Sequence, residues 1–356
     1  MGTELKKTIY YIVYLFIVVG IILCGFELVS YYLLTTSNKK TINKTMIIDP
    51  ILVWASNPDI NEFRDKLAER GHQYEDGFTI YNAKDSVVDD KSRIKILILG
   101  GSTSDSIYYN QKRESLLNWP EYFARLIKEK GHNAIVINGS IAGYNSTQEL
   151  LKLLRDGLEF SPDIIIEFGG LREIDSLAPL PYPMVLEHQR HIAKLTLNNM
   201  KDDSKASYFF MKNTIALLKN TNKIDYSLTY GKKSNNNHAS AWLRNIRLMH
   251  ATASEIGAGF CSILQPSAPI TAASREDEWK VHVKELTILR DSQKIVSAKF
   301  PFIYDWTDMF SENGLNPANY QTDAEHHTDA GNQLIAERIY KLVFDDKKCF
   351  GSSYKP

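Results

Sequence analysis

The stretch TDAEHHTDAG near the end of the chain holds acidic side chains and two adjacent histidines. Within it Asp323 and His326 are three residues apart, so one face of a tight turn or first helical turn can carry both. A carboxylate placed there can accept a hydrogen bond from Nδ1 of the imidazole, which leaves Nε2 to take a proton. The spacing therefore indicates an oriented general base.

A serine suited to act as a nucleophile follows an apolar run as Gly100-Gly101-Ser102. A serine on a tight glycine-containing turn is exposed to a substrate, and the backbone N–H groups after it can point at an anion. The alternative is a phosphate-binding loop or a plain turn, although the sequence has no GxxxxGK[ST] motif. A second run of small residues, NGSIAGYN, contains Gly143, whose N–H could face a developing oxyanion.

Two other interpretations apply to the histidine stretch. Adjacent histidines rarely share a metal on a regular element, and no HExxH motif or cysteine partner is present, so we expect neither a metal nor a cofactor. A purely structural turn is the second alternative, because Thr328 and Asp329 precede an amphipathic run and would cap a helix. That capping role is compatible with catalysis by the neighbouring residues.

From residue 93 onward, apolar runs that end in small residues alternate with helix-like segments. Continuous Ile, Val and Leu runs are typical of strands buried on both faces of a parallel sheet. The alternation predicts an open α/β sheet whose site lies at the carboxyl ends of the strands. The predicted strands are IKILILGG, HNAIVINGSIAG, SPDIIIEFGG, GFCSILQP and FPFIYDW, and the predicted helices are residues 117–130, 147–158, 239–256 and 331–344.

Taken in this order, the motifs resemble those of the SGNH (GDSL-type) hydrolases, especially their membrane-anchored bacterial members. LILGGSTS is similar to the nucleophile block, NGSIAGYNS to the glycine block, EFGGLREI to the third block and DAEHHTDAGNQLIAERI to the final Asp-x-x-His block. The resemblance implies a flavodoxin-like three-layer α/β/α sandwich with a central parallel sheet. It also implies a catalytic triad of Ser102, His326 and Asp323, with Ser102 and Gly143 as oxyanion donors.

The third block departs from the family pattern because it lacks the usual asparagine of the oxyanion hole. Aligning the block on its acidic residue places Arg172 at that position, and aligning it on the glycine pair places Leu171 there. Arginine has five donors and a fixed charge, so Arg172 is our third candidate oxyanion donor. It could instead pair with Glu173 and leave the hole incomplete. The resemblance places His327 in the pocket wall.

An apolar segment of residues 9–34 contains Glu27 as its one charged side chain and has tyrosines near both ends. About 20 apolar residues cross the hydrocarbon core of a membrane, so we predict a single transmembrane anchor. A cleaved signal peptide would have a shorter apolar core followed by a small-residue cleavage site, for which the sequence gives no convincing candidate. Lysines flank both ends of the segment, so the orientation stays open.

Composition and cysteines bound the remaining possibilities. Lys and Arg together equal Asp and Glu at 42 each, and this balance argues against a nucleic-acid partner. Cys261 and Cys349 either pair in an oxidising compartment or remain two thiols. The predicted organisation is a tail at 1–8, the anchor at 9–34, an irregular linker and extension at 35–92, the hydrolase-like domain at 93–345 with an insertion at about 175–238, and a tail at 346–356.

The expected function is that of a membrane-anchored serine esterase or deacylase. Its substrate would be an O-acylated, in particular acetylated, carbohydrate or envelope glycan on the extracytoplasmic side. Two alternatives stay open: an O-acyltransferase that uses the same triad, and a catalytically silent SGNH fold that binds a glycan or a protein partner. The sequence does not fix the oligomeric state.

Overall fold

The structure is a computed structural model that describes much of the chain between residues 46 and 351. The described residues are Tyr14, 46–49, 51–57, 60–82, 92–107, 117–175, 235–267, 277–312, 315–322 and 325–351. The chain divides into two compact units, residues 1–44 with 188–226 and residues 45–187 with 227–356, and every element below belongs to the second unit.

Two predicted segments fall largely outside this part of the chain. They are the membrane anchor at residues 9–34, apart from Tyr14, and most of the insertion at residues 175–238. None of the helices in the described ranges is long and apolar enough to cross a membrane.

A seven-stranded sheet, β3 to β9, forms the centre of the second unit, and a separate pair of strands, β1 and β2, lies outside it. The strands of the described residues are β1 (Met46–Asp49), β2 (Val53–Ser56), β3 (Gln73–Glu75), β4 (Phe78–Tyr81), β5 (Ile94–Gly100), β6 (Ala134–Asn138), β7 (Ile164–Gly169), β8 (Gly259–Leu264) and β9 (Ile303–Asp305). The order in the sheet is β3-β4-β6-β5-β7-β8-β9, and β1 pairs with β2 apart from it. The five strands predicted from the apolar runs, β5 to β9, are confirmed and are parallel to one another.

The five parallel strands have the flavodoxin-like order, with the first of them, β5, lying between β6 and β7. The chain leaves β5 toward one side for β6 and later returns to its other side for β7. Such a switch point opens a crevice at the carboxyl end of the central strand. The residues that follow β5, including Ser102, therefore stand at the mouth of this crevice.

Helices cover both faces of the sheet. They are α1 (Asn61–Glu69), α2 (Trp119–Glu129), α3 (Ser146–Arg155), α4 (Asn235–Glu255), α5 (Asp277–Ser297) and α6 (Asp329–Tyr340), which a π-helical turn, Lys341–Asp345, continues. On β5, Ile96 and Ile98 pack into one core with α2 and α6, whereas Leu97 and Leu99 pack into another with α3 and α4. Successive strand residues point to opposite faces, so this alternation builds the predicted three layers.

The expectation that residues 35–92 are irregular is wrong for the described part of that segment. It forms β1 to β4 and α1, and β4 joins the main sheet antiparallel to β6, so the sheet is mixed and not purely parallel. Asp76 and Gly77 connect β3 to β4 with φ angles of 47° and 80°. An Asp-Gly pair is a strong hairpin signal because both turn positions need positive φ. Helix α5 is a further element that the sequence patterns did not predict.

The residues at 346–351, expected to be a tail, pack against the core. A disulfide joins Cys261 on β8 to Cys349, 88 residues later, and neither side chain is exposed. Gly259 makes the close approach feasible, since a Cβ there would lie 1.8 Å from the carbonyl oxygen of Cys349. Of the two alternatives for these cysteines, the structure has the paired one.

Removal of this disulfide by the double substitution Cys261→Ala/Cys349→Ala should lower the free energy of unfolding by about 2–5 kcal/mol, because the unfolded chain loses a long cross-linked loop. Urea unfolding with and without dithiothreitol measures the effect. Reductant should bring the unsubstituted protein to the stability of the variant and leave the variant unchanged. Two additional free thiols in the denatured, unreduced protein would contradict the pairing.

Candidate functional site

Ser102 lies on a turn that close packing and hydrogen bonds with buried residues hold in place. Gly100 ends β5 at a point where a Cβ would lie 2.6 Å from the carbonyl oxygen of Phe168, so the close packing of β5 on β7 requires glycine. The Ser104 N–H then donates to the carbonyl of Gly101 at 3.1 Å and closes the turn. The Asn138 side chain donates to the Ser104 carbonyl at 2.7 Å. This network fixes the backbone on both sides of Ser102.

His326 lies in a short hairpin that leads into α6. The Thr322 N–H donates to the His326 carbonyl at 2.9 Å, and the Thr328 N–H donates to the Tyr320 carbonyl at 2.9 Å. The predicted capping role of Thr328 is confirmed, because its hydroxyl accepts a hydrogen bond from the Gly331 N–H. Both ends of the histidine-bearing loop are therefore held by backbone and capping contacts.

The structure brings the two central candidates together. Ser102 Oγ and His326 Nε2 are 2.9 Å apart, and both residues are buried, with 5% and 8% of their surface exposed. A hydroxyl at this distance from an imidazole nitrogen can pass its proton to it as it attacks a carbonyl carbon. Asp323 lies outside the described residues, so its contact with Nδ1 of His326 stays a prediction.

His327 does not belong to the pocket wall, contrary to the expectation from the family resemblance. Its side chain is fully buried, and its ring lies edge-on to the rings of Phe168 and Phe310, with centroid distances of 6.4 and 5.5 Å. His327 forms a β-bridge with Gln321, and neighbouring residues of an extended segment point to opposite sides. The two adjacent histidines are thus divided between the site and the core.

Gly143 occupies a turn beside the serine. The Tyr144 N–H donates to the Ile141 carbonyl at 3.1 Å, and Gly143 has a φ of 86°, a conformation in which a side chain would be strained. The Ala142 N–H donates to the carboxylate of Asp105 at 2.8 Å, which ties this turn to the serine loop. The next residues, Tyr144 and Asn145, line the pocket that contains Ser102, and donation by the Gly143 N–H stays a prediction.

Arg172 lines the same pocket as Ser102 and pairs with an acidic residue that the sequence patterns did not single out. Its Nη2 lies 2.8 Å from Oε2 of Glu325, which directly precedes His326; the two side chains are 31% and 6% exposed. Glu173, the alternative partner, accepts a hydrogen bond from the Ser146 N–H at 2.7 Å. The ion pair connects the segment after β7 to the histidine loop.

The pocket is lined by residues that follow four neighbouring strands of the sheet. Several lining residues are small or present their backbone, and Gln265 after β8 accepts a hydrogen bond from the Thr103 hydroxyl at 3.1 Å. The lining comprises Gly101, Ser102, Thr103, Tyr144, Asn145, Glu149, Gly169, Gly170, Leu171, Arg172, Glu173, Gln265 and Glu325. Leu171, the other residue considered for the missing asparagine, is thus also at the pocket.

Comparison with known proteins gives likeness in structure only. The sequence matches no protein-family model and no curated protein. Solved structures similar to the chain include a lipase/acylhydrolase from Enterococcus faecalis (15% identity, 70% of this chain and 95% of that chain, TM-score 0.42). They also include a putative GDSL-like lipase from Parabacteroides merdae (16%, 73% and 99%, 0.43) and an acetylxylan esterase from Geobacillus stearothermophilus (12%, 73% and 97%, 0.40).

Loss of either partner of the Arg172–Glu325 pair should destabilise the fold, because the remaining side chain loses the ion pair whose atoms are 2.8 Å apart. In a cycle of Arg172→Ala, Glu325→Gln and the double variant, we expect a coupling of about 0.5–3 kcal/mol in urea unfolding. The exposed pair Arg338–Glu312, with its atoms 3.1 Å apart, is the matched control and should couple by under about 1 kcal/mol. Additive losses at Arg172 and Glu325 would contradict the pairing.

Proposed function

We propose that the chain is an SGNH-type serine esterase or deacylase that works through an acyl-enzyme. The observation that carries the proposal is the 2.9 Å contact of Ser102 Oγ with His326 Nε2 at the carboxyl end of the central strand. The order of the motifs along the chain supports the same conclusion independently, because it assigns the same two residues from the sequence alone and uses no interatomic distance. A binding module has no need of a hydroxyl and an imidazole held in this relation.

The first half of the proposed reaction acylates the serine. Ser102 Oγ attacks the ester carbonyl carbon while its proton passes to His326 Nε2, and the carbonyl oxygen becomes an oxyanion. The N–H groups of Ser102 and Gly143 and the guanidinium of Arg172 are the proposed donors to that oxyanion. The bond to the leaving alcohol then breaks, and the alcohol takes the proton from His326. Asp323 is proposed to hold the imidazole through Nδ1.

The second half releases the acid. Water gives a proton to His326 Nε2 as its oxygen attacks the acyl carbon, and a second oxyanion forms at the same donors. Collapse of this intermediate breaks the bond to Ser102 Oγ, which regains the proton from His326. The products are a carboxylic acid and free Ser102.

One feature of the structure supports an extracytoplasmic site. The disulfide between Cys261 and Cys349 favours an oxidising compartment. With the anchor proposed at residues 9–34 and the resemblance of the motifs, we propose an acetylated carbohydrate or envelope glycan as the substrate.

Substitution of the nucleophile tests this proposal. Ser102→Ala should lower turnover of a chromogenic acetate ester by at least about 10³-fold, because it removes the proposed nucleophile of the acyl-enzyme. Ser140→Ala is the matched control, since Ser140 has the same 5% exposure and its hydroxyl has no hydrogen-bond partner among the described residues. Turnover by Ser102→Ala equal to that of the control would remove Ser102 from the mechanism.

The acyl acceptor separates hydrolysis from transfer. With an acetyl donor labelled in its acyl group, we expect acetate as the main product and little change when an oligosaccharide acceptor is added. A hydrolase leaves the approach of water to the acyl-enzyme open, so water outcompetes the sugar hydroxyl. Label found mainly on the oligosaccharide would instead assign the chain as an acyltransferase with the same catalytic residues.

A further inference from the structure

Three buried glutamates lie behind the pocket and have no part in the mechanism proposed above. Glu149 belongs to α3, Glu167 to β7 and Glu173 to the segment after β7, and their exposed fractions are 2%, 0% and 3%. Glu149 and Glu173 also line the pocket that contains Ser102. Buried carboxylates without counter-ions are costly, so this cluster calls for a physical explanation.

The hydrogen bonds of the cluster satisfy only some of its carboxyl oxygens. Glu167 Oε2 accepts from the Ser262 hydroxyl, and Glu173 Oε1 accepts from the Ser146 N–H. Glu149 Oε2 and Glu167 Oε1 receive no hydrogen bond from any donor group in the described residues. The carboxyl groups of Glu149 and Glu167 are in contact with each other, and one of them must hold a proton for that contact to be a hydrogen bond.

Electrostatics gives the same assignment. Burial, reinforced by the charges of Glu167 and Glu173, raises the pKa of Glu149 well above its ordinary value. Burial raises the pKa of Glu167 to about 8, although the Ser262 hydrogen bond opposes the rise. Burial also raises the pKa of Glu173 to about 7, against the hydrogen bonds from Ser146 and the charge of Arg244 on α4. Two further charged residues, Arg172 and Glu325, line the same pocket as Glu149 and Glu173.

The two carboxyl groups lie directly against the backbone that leads to Arg172. A Cβ on Gly169 would be 2.6 Å from Glu167 Oε1 and 3.4 Å from Glu149 Oε1, so the two carboxyl groups form the floor under this residue. The next residue, Gly170, has a φ of 98° and accepts a hydrogen bond from the Gln293 side chain at 2.6 Å. Arg172 follows two residues later, in the pocket wall.

We propose that Glu149 and Glu167 are positioning residues, and that their shared proton holds the Gly169-to-Arg172 backbone in the shape that catalysis requires. Loss of the proton places two negative charges against each other under Gly169 and displaces the segment that carries Arg172. The inference rests on the proposed esterase function. It predicts a decline of kcat at alkaline pH that is set by the glutamate pair and not by His326.

The direction of the pH effect on stability follows from the raised pKa of Glu167. A carboxyl group with a raised pKa in the folded state contributes stability that is fully present below its unfolded value of about 4.5 and is lost as the pH rises through about 8. The free energy of unfolding should therefore fall as the pH rises from 5 to 9, and both members of the pair should contribute to the fall.

The test compares the pH profile of kcat for Glu149→Gln and Glu167→Gln with that of the unsubstituted full chain, using a chromogenic acetate ester. An amide can donate to the remaining carboxylate and cannot ionise, so it replaces the shared proton permanently. Because both pKa values are raised, with that of Glu167 at about 8, the pair loses its last proton only at a pH above about 8, and kcat of the unsubstituted chain should fall there. In both variants it should stay within about twofold over this range.

Two controls accompany the profile. Glu159→Gln, at an exposed residue close to α3, should keep the alkaline decline of the unsubstituted chain. Ser102→Ala corrects for spontaneous hydrolysis of the ester at high pH. Urea unfolding midpoints between pH 6 and pH 9 give a second readout, which should fall with pH in the unsubstituted chain whether or not the glutamine variants fold.

The outcomes separate this inference from the proposed function. Turnover with the same alkaline decline in all variants, or with none in the unsubstituted chain, would overturn the positioning role and leave the esterase intact. Absence of turnover at every pH would remove both. An unfolding midpoint independent of pH between 6 and 9 would show that the pair holds no proton in this range and would overturn the inference by itself.

Discussion

The hydrogen bond between Ser102 Oγ and His326 Nε2 joins two loops that are 224 residues apart in the sequence. No local structure can hold such a contact, so the whole domain has to place both loops. The central strand β5 carries the serine, and α6 carries the histidine loop. Helix α6 is held by α2 and by the residues just before it. The Tyr122 hydroxyl on α2 donates to Asp329 at 2.6 Å, and the Asn332 side chain donates to the Leu117 carbonyl at 2.9 Å.

Arg172 brings a positive charge to the part of the pocket wall that follows β7. The carboxylate of Glu325 lies 2.8 Å from its guanidinium. A guanidinium has five N–H donors, so one ion pair does not exhaust its capacity to bind an oxyanion. In our proposal, the carboxyl groups of Glu149 and Glu167 support the backbone that carries Arg172. The pocket then depends on an ion pair in its wall and on a protonated carboxyl pair beneath it.

Short-range patterns predicted the parts of the fold that depend on local chemistry. Runs of Ile, Val and Leu predict β5 to β9, and the residue type and position of Thr328 predict a helix cap. The Asp76-Gly77 hairpin also has a local signal, but our sequence predictions do not include it. Contacts such as Glu149 with Glu167 arise only when α3 packs on β7, and the Cys261–Cys349 pair was left open, because the sequence does not contain the distances between elements.

The most direct test of the central claim is covalent labelling of the full chain with a fluorophosphonate probe, which reacts with serines activated as nucleophiles. The site of modification would be mapped by peptide mass spectrometry, with Ser102→Ala and His326→Ala run beside the unsubstituted protein. The account predicts one adduct, on Ser102, lost in both variants. A folded protein with no adduct, or with an adduct on another serine, would contradict the pairing of Ser102 with His326 as a catalytic unit.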